Sequence, residues 1–216
     1  MTMQIDIAGE ALELLPARAA WWPRQRLLVV ADMHFGKAAA FRAGGLPVPH
    51  GTTSQNLAAL DALLASRLAR GIVFLGDFLH ARASQAGATL AALRAWRLRH
   101  ADLALTLVRG NHDAHAGDPP ADLDLAVVDE PWQLDPFAFG HHPRKSAGPH
   151  LLCGHLHPVH HLAWGGERLR LPCFLVGPQR TVLPAFGAFT GGHPVTPADD
   201  DRLFVATDDT VFAVPR

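Results

Sequence analysis

The segment "GIVFLGD" (residues 71–77) is an unbroken apolar run that ends abruptly in an aspartate. A strand that is apolar at every position, rather than at alternate ones, is expected to be covered on both faces, as in a parallel sheet. Two other stretches read the same way. "RLLVVAD" (26–32) again ends in an acid, and "DLALTLVRG" (102–110) runs directly into "NHD". Between the first two, from Thr52 to Arg70, leucines at 57, 60, 64 and 68 follow helical spacing, and Gly71 supplies a stop. Ser84 can cap a second helix running to about His100, with Leu90, Leu93 and Trp96 on one face. Strand, helix, strand, helix, strand at this spacing is a pair of βαβ units, which places functional groups at the carboxyl ends of the strands.

Beyond residue 120 the rhythm changes. Short apolar runs at 125–128, 137–140, 150–153, 159–164, 168–176, 180–183, 203–207 and 210–214 are separated by Pro, Gly and Asp turns. They predict a second, largely antiparallel sheet packed on the first. "GGHPVTPADDD" (191–201) reads as a loop, and the whole chain, 1–216, as one α/β domain.

Composition narrows the function. With 216 residues, 49% of them hydrophobic, the chain can bury a substantial core. A formal net charge of −1 provides no global field to draw in DNA, RNA or an anionic membrane, so any nucleic-acid contact has to be local. Cys153 and Cys173 sit in apolar runs and form no CxxC pair, which suits buried thiols in a reducing compartment. The N-terminus has no signal-like segment and no apolar run approaches the length of a membrane span, so the expected location is the cytoplasm. Histidine is abundant at 14 residues, and most of these are clustered.

The clusters fall at the predicted strand ends. In order they are "ADMHFG" with Asp32 and His34, "GDFLH" with Asp77 and His80, "RGNHD" with Asn111, His112 and Asp113, "GHHP" with His141 and His142, and "GHLH" with His155 and His157. Each alone says little. Together they offer carboxylate, amide oxygen and neutral imidazole, a donor set that suits Mn²⁺, Fe or Zn²⁺ better than Ca²⁺ or thiolate-bound zinc. On an extended segment, the two side chains of D-x-H or H-x-H would share one face.

In this order and these contexts, from about Leu28 to Pro158, the motifs resemble the calcineurin-like metallophosphoesterase superfamily, whose signature runs D-x-H, G-D, G-N-H-D, H, G-H-x-H. "ADMHFGKAAAFRAGGLPVP" and "GDFLHA" resemble its ligase-associated PdeM group, bacterial enzymes assigned to DNA repair. The resemblance implies a four-layer α/β/β/α sandwich of two mixed sheets flanked by helices, holding two divalent ions, with Mn²⁺ first and Fe or Zn²⁺ as alternatives. Carried over by position, Asp32, His34 and His157 would hold one ion. Asn111, His141 and His155 would hold the other, and Asp77 would bridge them. His142, adjacent to His141, competes for its place, and His80 stands where many relatives carry an acid.

Two such ions activate water for in-line attack on a phosphodiester. His112 is the expected general acid, with Asp113 orienting it. Lys37, Arg42, His80, Arg82, Arg109 and Lys145 occupy the surrounding loops and are the expected substrate contacts, although each basic residue taken singly reads equally as solvated loop charge. Phe35 and Phe41 are near enough to stack on a base, but packing is the first expectation, as it is for Trp21 and Trp22. His160 and His161 are expected at the surface.

The leading function is a phosphodiesterase, plausibly a DNA endonuclease in bacterial DNA repair, acting on single-stranded DNA beside partners such as a ligase or helicase. A phosphomonoesterase or small-nucleotide hydrolase on the same site is the enzymatic alternative, and a catalytically inactive metal-binding scaffold is the non-enzymatic one.

Overall fold

The computed structural model describes residues 1–144 and 148–215. The first sheet contains β1 (Met3–Ile7), β2 (Glu10–Leu15), β3 (Ala19–Trp22), β4 (Leu27–Val30), β5 (Gly71–Leu75), β6 (Ala104–Val108) and β7 (Ala126–Val128), side by side in chain order. β1 to β4 form an antiparallel meander, whereas β4 to β7 run parallel. The parallel part contains the three runs read as buried strands, and every residue of β5 is buried. The antiparallel N-terminal extension is not among the expected elements; only the packing of Trp21 and Trp22 is.

The helices of the crossovers are α1 (Lys37–Ala43), α2 (Thr52–Arg67) and α3 (Gly87–Arg99), followed by α4 (Asn111–Ala116). α2 stops three residues earlier than expected. Leu68 takes a left-handed conformation (φ 49°) and is 72% exposed, so it leaves the apolar face to Leu57, Leu60 and Leu63. Ser84 caps no long helix: its hydroxyl accepts the Ala81 amide in a short 3-10 turn over Arg82–Gln85, and α3 begins beyond it. α2 and α3 cover the outer face of the first sheet, with Leu57, Leu60, Leu93 and Trp96 packed on Leu28, Val30, Ile72, Phe74 and Leu107.

The second sheet contains β8 (Trp132–Leu134), β9 (Phe137–Phe139), β10 (His150–Cys153), β11 (Pro158–Trp164), β12 (Glu167–Val176), β13 (Arg180–Val182), β14 (His193–Pro194), β15 (Arg202–Ala206) and β16 (Val211–Ala213). It is mixed. β10 runs parallel to both β9 and β13, while β12 pairs antiparallel with β11, β13 and β15. The inner faces of the two sheets interdigitate through Trp22, Val29, Val73 and Leu75 on one side and Phe137, Phe139, Leu152 and Phe174 on the other. Trp22 meets Phe137 edge-on at 4.8 Å, which makes it core, as expected.

The two mixed sheets and their flanking helices match the expected architecture, with one difference in the outer layers. Outside the second sheet, Leu151, Cys153, Leu175 and Val205 are covered by Leu162, Leu171, Val195, Phe212 and Val214, which lie on strands and loops. Among the described residues the α-helices all fall between residues 37 and 116. No helix among the described residues is long and apolar enough to cross a membrane.

For the site, the decisive feature is where the strands end. β4, β5 and β6 are in register, so Ala31–Asp32, Gly76–Asp77 and Arg109–Asn111 emerge along one edge of the first sheet. β9 and β10 end in His141 and in Gly154–His155 on the second. A bridge between Ala31 and Ala185 ties the sheets together at that edge.

Candidate metal centre

The strand-end groups converge. Asp32, His34, Asp77 and His157 bring one potential ligand atom each to within 4.8 Å of one another, and so do His141, His142 and His155. Asp77 lies between the two groups, with Oδ2 3.6 Å from His34 Nε2 and Oδ1 3.4 Å from His141 Nε2. Asn111 Oδ1 is 2.8 Å from His141 Nε2, and His155 Nδ1 lies 3.0 Å from that same nitrogen. His157 Nε2 is 3.3 Å from Asp32 Oδ1.

The backbone holds this arrangement at a cost. The expectation that Asp32 and His34, or His155 and His157, share the face of an extended segment is not met. Both members of each pair, and Asp77 as well, have left-handed backbones, with φ of 55°, 45°, 72°, 46° and 51° respectively. Non-glycine residues pay roughly 1–3 kcal/mol each for such conformations, and they persist where the surroundings over-determine them. Glycine makes the approach possible at two of these turns. A Cβ on Gly154 would sit 2.6 Å from Asp32 Oδ2, and one on Gly76, at φ 77°, would sit 2.3 Å from His141 Nδ1.

Electrostatics favours neutral imidazoles. Burial, reinforced by His157, Lys37, His112 and His80, pushes the His34 pKa down to about 2. Burial and the neighbouring His141 and His142 lower that of His155. The Nε2 atoms of His34 and His157 are buried with no hydrogen-bond partner, which is costly unless something else takes up their lone pairs. His141 Nδ1 donates to the Leu75 carbonyl (3.0 Å), so its Nε2 is the free lone pair, turned towards Asn111 and Asp77. Imidazole nitrogens, carboxylates and an amide oxygen gathered in this way are a donor set suited to a divalent cation.

The calcineurin-like phosphoesterase family model matches residues 25–174. The chain belongs to the calcineurin-like phosphoesterase family. Its members are metal-dependent phosphoester hydrolases, and so is this protein. It is also similar to a crystallised Pseudomonas putida protein described as nuclease MPE, with 48% identity, coverage of 99% of this chain and 100% of that one, and a TM-score of 0.88. Yfce, a phosphoesterase from E. coli, shares 17% identity over 86% of this chain and 90% of its own, with a TM-score of 0.40. No curated protein matches the chain.

Around the centre of this phosphoesterase, several expected roles change. His112 adjoins the centre: its Nδ1 donates to the His80 carbonyl (2.7 Å), and its Nε2 lies 4.0 Å from Asp77 Oδ2. Asp113 is not what orients it. The Asp113 carboxylate is fully buried and accepts the backbone amides of Phe78 (2.9 Å), Leu79 (3.2 Å) and Gly110 (2.9 Å), clamping the loop after Asp77 to the start of α4. Helix α4 begins at Asn111 itself, so Asp113 is the third residue of its first turn, where its side chain reaches amides rather than its neighbour's ring. Burial lifts its pKa to about 6 against those hydrogen bonds.

His141 and His142 separate clearly. His141 is wholly buried at the centre, whereas the His142 Nδ1 is bound to Glu130 Oε1 (2.8 Å) and its ring packs on His155. Glu130 escaped the sequence reading. It accepts both the His141 and His142 amides (2.7 and 2.9 Å) and pairs with Arg144, and although burial raises its pKa, the His142 bonds prevail and hold it below the usual range. An acid eleven residues upstream leaves no local signal, because the contact is made only by the return of the β8–β9 hairpin.

Of the expected substrate contacts, Arg109 is committed elsewhere, forming ion pairs with Asp118 (3.0 Å) and Asp129. Arg42 donates to the carbonyl of Pro49 (2.7 Å) and braces its own loop. Arg82 is exposed on the 3-10 turn. Lys145 lies outside the described residues. Lys37 does adjoin the site: burial lowers its pKa, Asp77 opposes that shift, and its Nζ donates to Thr190 O (3.3 Å). His80 stacks on His112 with centroids 4.8 Å apart, and its Nδ1 faces His34 Nδ1 at 3.2 Å. Phe35 is buried against Phe78, as packing predicted. Cys153 and Cys173 are buried free thiols; burial raises both pKa values, Cys173 to about 12.

Proposed function

We propose that this phosphoesterase is a dinuclear, Mn²⁺-dependent phosphodiesterase that cleaves nucleic acid, in particular single-stranded DNA, and serves cytoplasmic DNA repair beside a ligase or helicase. Asp32, His34 and His157 hold one ion, Asn111, His141 and His155 the other, and Asp77 both. The reading is carried by one observation: the orphaned Nε2 atoms of His34 and His157 lie in a buried cluster of carboxylates whose other half, around His141, shares Asp77 with it.

When bound, two such ions supply a water nucleophile near neutral pH and neutralise charge on the phosphate. The chain's own residues do the rest. The His80 carbonyl fixes the His112 tautomer, so that Nε2, once protonated, is the atom able to give a proton to the leaving oxygen. The Asp77 carboxylate receives the His112 amide (2.9 Å), which ties the acid's position to that of the bridging ligand. No covalent nucleophile is called for, since both thiols are buried and protonated.

Diester over monoester is supported by the cations at the rim. Arg109 and Arg144 are already neutralised by acids, which leaves Lys37 as a cation beside the centre, a match for a singly charged phosphate. The nuclease description of the 48% identical Pseudomonas putida protein supports the same choice. The test offers purified Mn²⁺-loaded protein labelled single-stranded DNA, duplex DNA, a model diester and the matching monoester. Cleavage led by single-stranded DNA is expected, and a strong preference for the monoester would overturn the reading.

A further inference from the structure

We infer that Phe41 and Phe189 form a nucleobase subsite on the His80 side of the metal centre. The inference rests on the nucleic-acid reading above and specifies how a strand is gripped. Aromatic rings lead outwards from the centre: His112 stacks on His80 (4.8 Å between centroids, 25° between planes), His80 meets Phe41 edge-on at 5.6 Å, and Phe41 meets Phe189 edge-on at 5.9 Å. The first two rings belong to the acid and its neighbour. The last two are phenylalanines from distant segments, one on α1 and one from the loop after β13, and both are only partly buried.

A pair of aromatics meeting edge-on in a closed core would bury both faces of each ring, as Phe35, Phe74 and Phe78 do a few residues away. Here the rings stay half-open beside a phosphate site. In the loop that follows α1, Leu46 is 54% exposed and its amide donates to the Phe41 carbonyl (3.0 Å).

Lys37 joins the two functions. Its Nζ is 5.8 Å from the Phe41 ring centroid, and it feels the Asp77 carboxylate, so one cation lies between the aromatic pair and the place of the phosphate. An apolar face with an adjacent cation, two rings beyond the candidate acid, fits an occupant covalently joined to the phosphate. That occupant is the base of a flanking nucleotide. Stacking also adds affinity without positive charge, which suits a chain with a net charge of −1. Every base has a π-face, so such a subsite tolerates sequence, but it requires the base to be unstacked, which selects single strands.

The test uses the full chain loaded with Mn²⁺ and two strands of equal length, an oligothymidylate and a strand whose bases are all replaced by abasic tetrahydrofuran residues. The readout is the ratio of their kcat/KM values. Wild-type protein is expected to prefer the base-bearing strand by roughly 5- to 100-fold, mostly through KM, as stacking of one base would give. Phe41→Leu and Phe189→Ala are each expected to collapse the ratio towards 1, and Phe41→Trp to restore it. The ratio is unaffected by any general loss of active protein. A wild-type ratio near 1, or one that survives both substitutions while DNA is cut, overturns the subsite and leaves the nuclease reading standing. If neither strand is cut while methyl p-nitrophenyl phosphate is hydrolysed, the nucleic-acid reading fails and takes the subsite with it.

Discussion

Replacing Asp113 by alanine is expected to loosen the metal centre rather than disable the general acid. The substitution strands three buried amides, those of Phe78, Leu79 and Gly110, which the carboxylate accepts at 2.9, 3.2 and 2.9 Å. Each unsatisfied donor costs ~1–3 kcal/mol. Against this, burial lifts the Asp113 pKa to about 6, so holding it ionised at neutral pH costs ~3 kcal/mol, which alanine recovers. The net loss is then about 3 kcal/mol, within a range of roughly 0–6, read by urea unfolding of chelator-treated protein. Two of the stranded amides follow Asp77 directly and the third precedes Asn111, so calorimetric Mn²⁺ affinity should fall with stability.

The pH dependence has a definite sign. A carboxyl whose folded pKa is raised contributes most below its unfolded value and loses that contribution as pH climbs through the folded one. The stability advantage of wild-type protein over Asp113→Asn should therefore shrink between about pH 4 and the folded value of about 6. If Asp113→Ala kept wild-type stability and Mn²⁺ affinity but lost turnover, the clamp would be wrong and Asp113 would act on His112 after all.

Three further outcomes are expected. His112→Ala should cut turnover of DNA, whose leaving group is a strongly basic alkoxide, by ~10²–10⁴-fold, while barely slowing a diester that expels weakly basic nitrophenolate. Equal losses on both substrates would remove His112 from the role of proton donor. Gly154→Ala, whose Cβ would lie 2.6 Å from Asp32 Oδ2 and 2.8 Å from Ala31 Cβ, should weaken Mn²⁺ binding by ~10-fold or more in a calorimetric titration, and unaltered affinity would show that the close approach is not needed. Mn²⁺ at about a hundred times its Kd should stabilise chelator-treated protein by ~2.7 kcal/mol in thermal melts, a gain that Asp77→Asn should abolish; a melting temperature indifferent to Mn²⁺ would contradict the fit of the donor set.

The three parallel strands were legible because a strand covered on both faces must be apolar throughout, which is a local property of "RLLVVAD", "GIVFLGD" and "DLALTLVRG". The clustered histidines, acids and amide were legible for a similar reason, since metal-binding side chains at a strand's end interrupt its apolar pattern. The meander β1 to β3 was not. Its short strands are held by their neighbours more than by their own composition, and Trp21 and Trp22 face opposite cores only once the sheet exists.

Sequence by itself determined which residue types stand at the strand ends, and hence what chemistry can gather there. Tertiary structure decided which of them meet. It turned Asp113 to backbone amides, buried His141 while tying His142 to Glu130, brought Glu130 back beneath both, and paired Arg109 with acids. Spacing along the chain constrains only near neighbours. These contacts depend on strand register and on loops that return from about ten to more than a hundred residues away, as Phe189 does to Phe41.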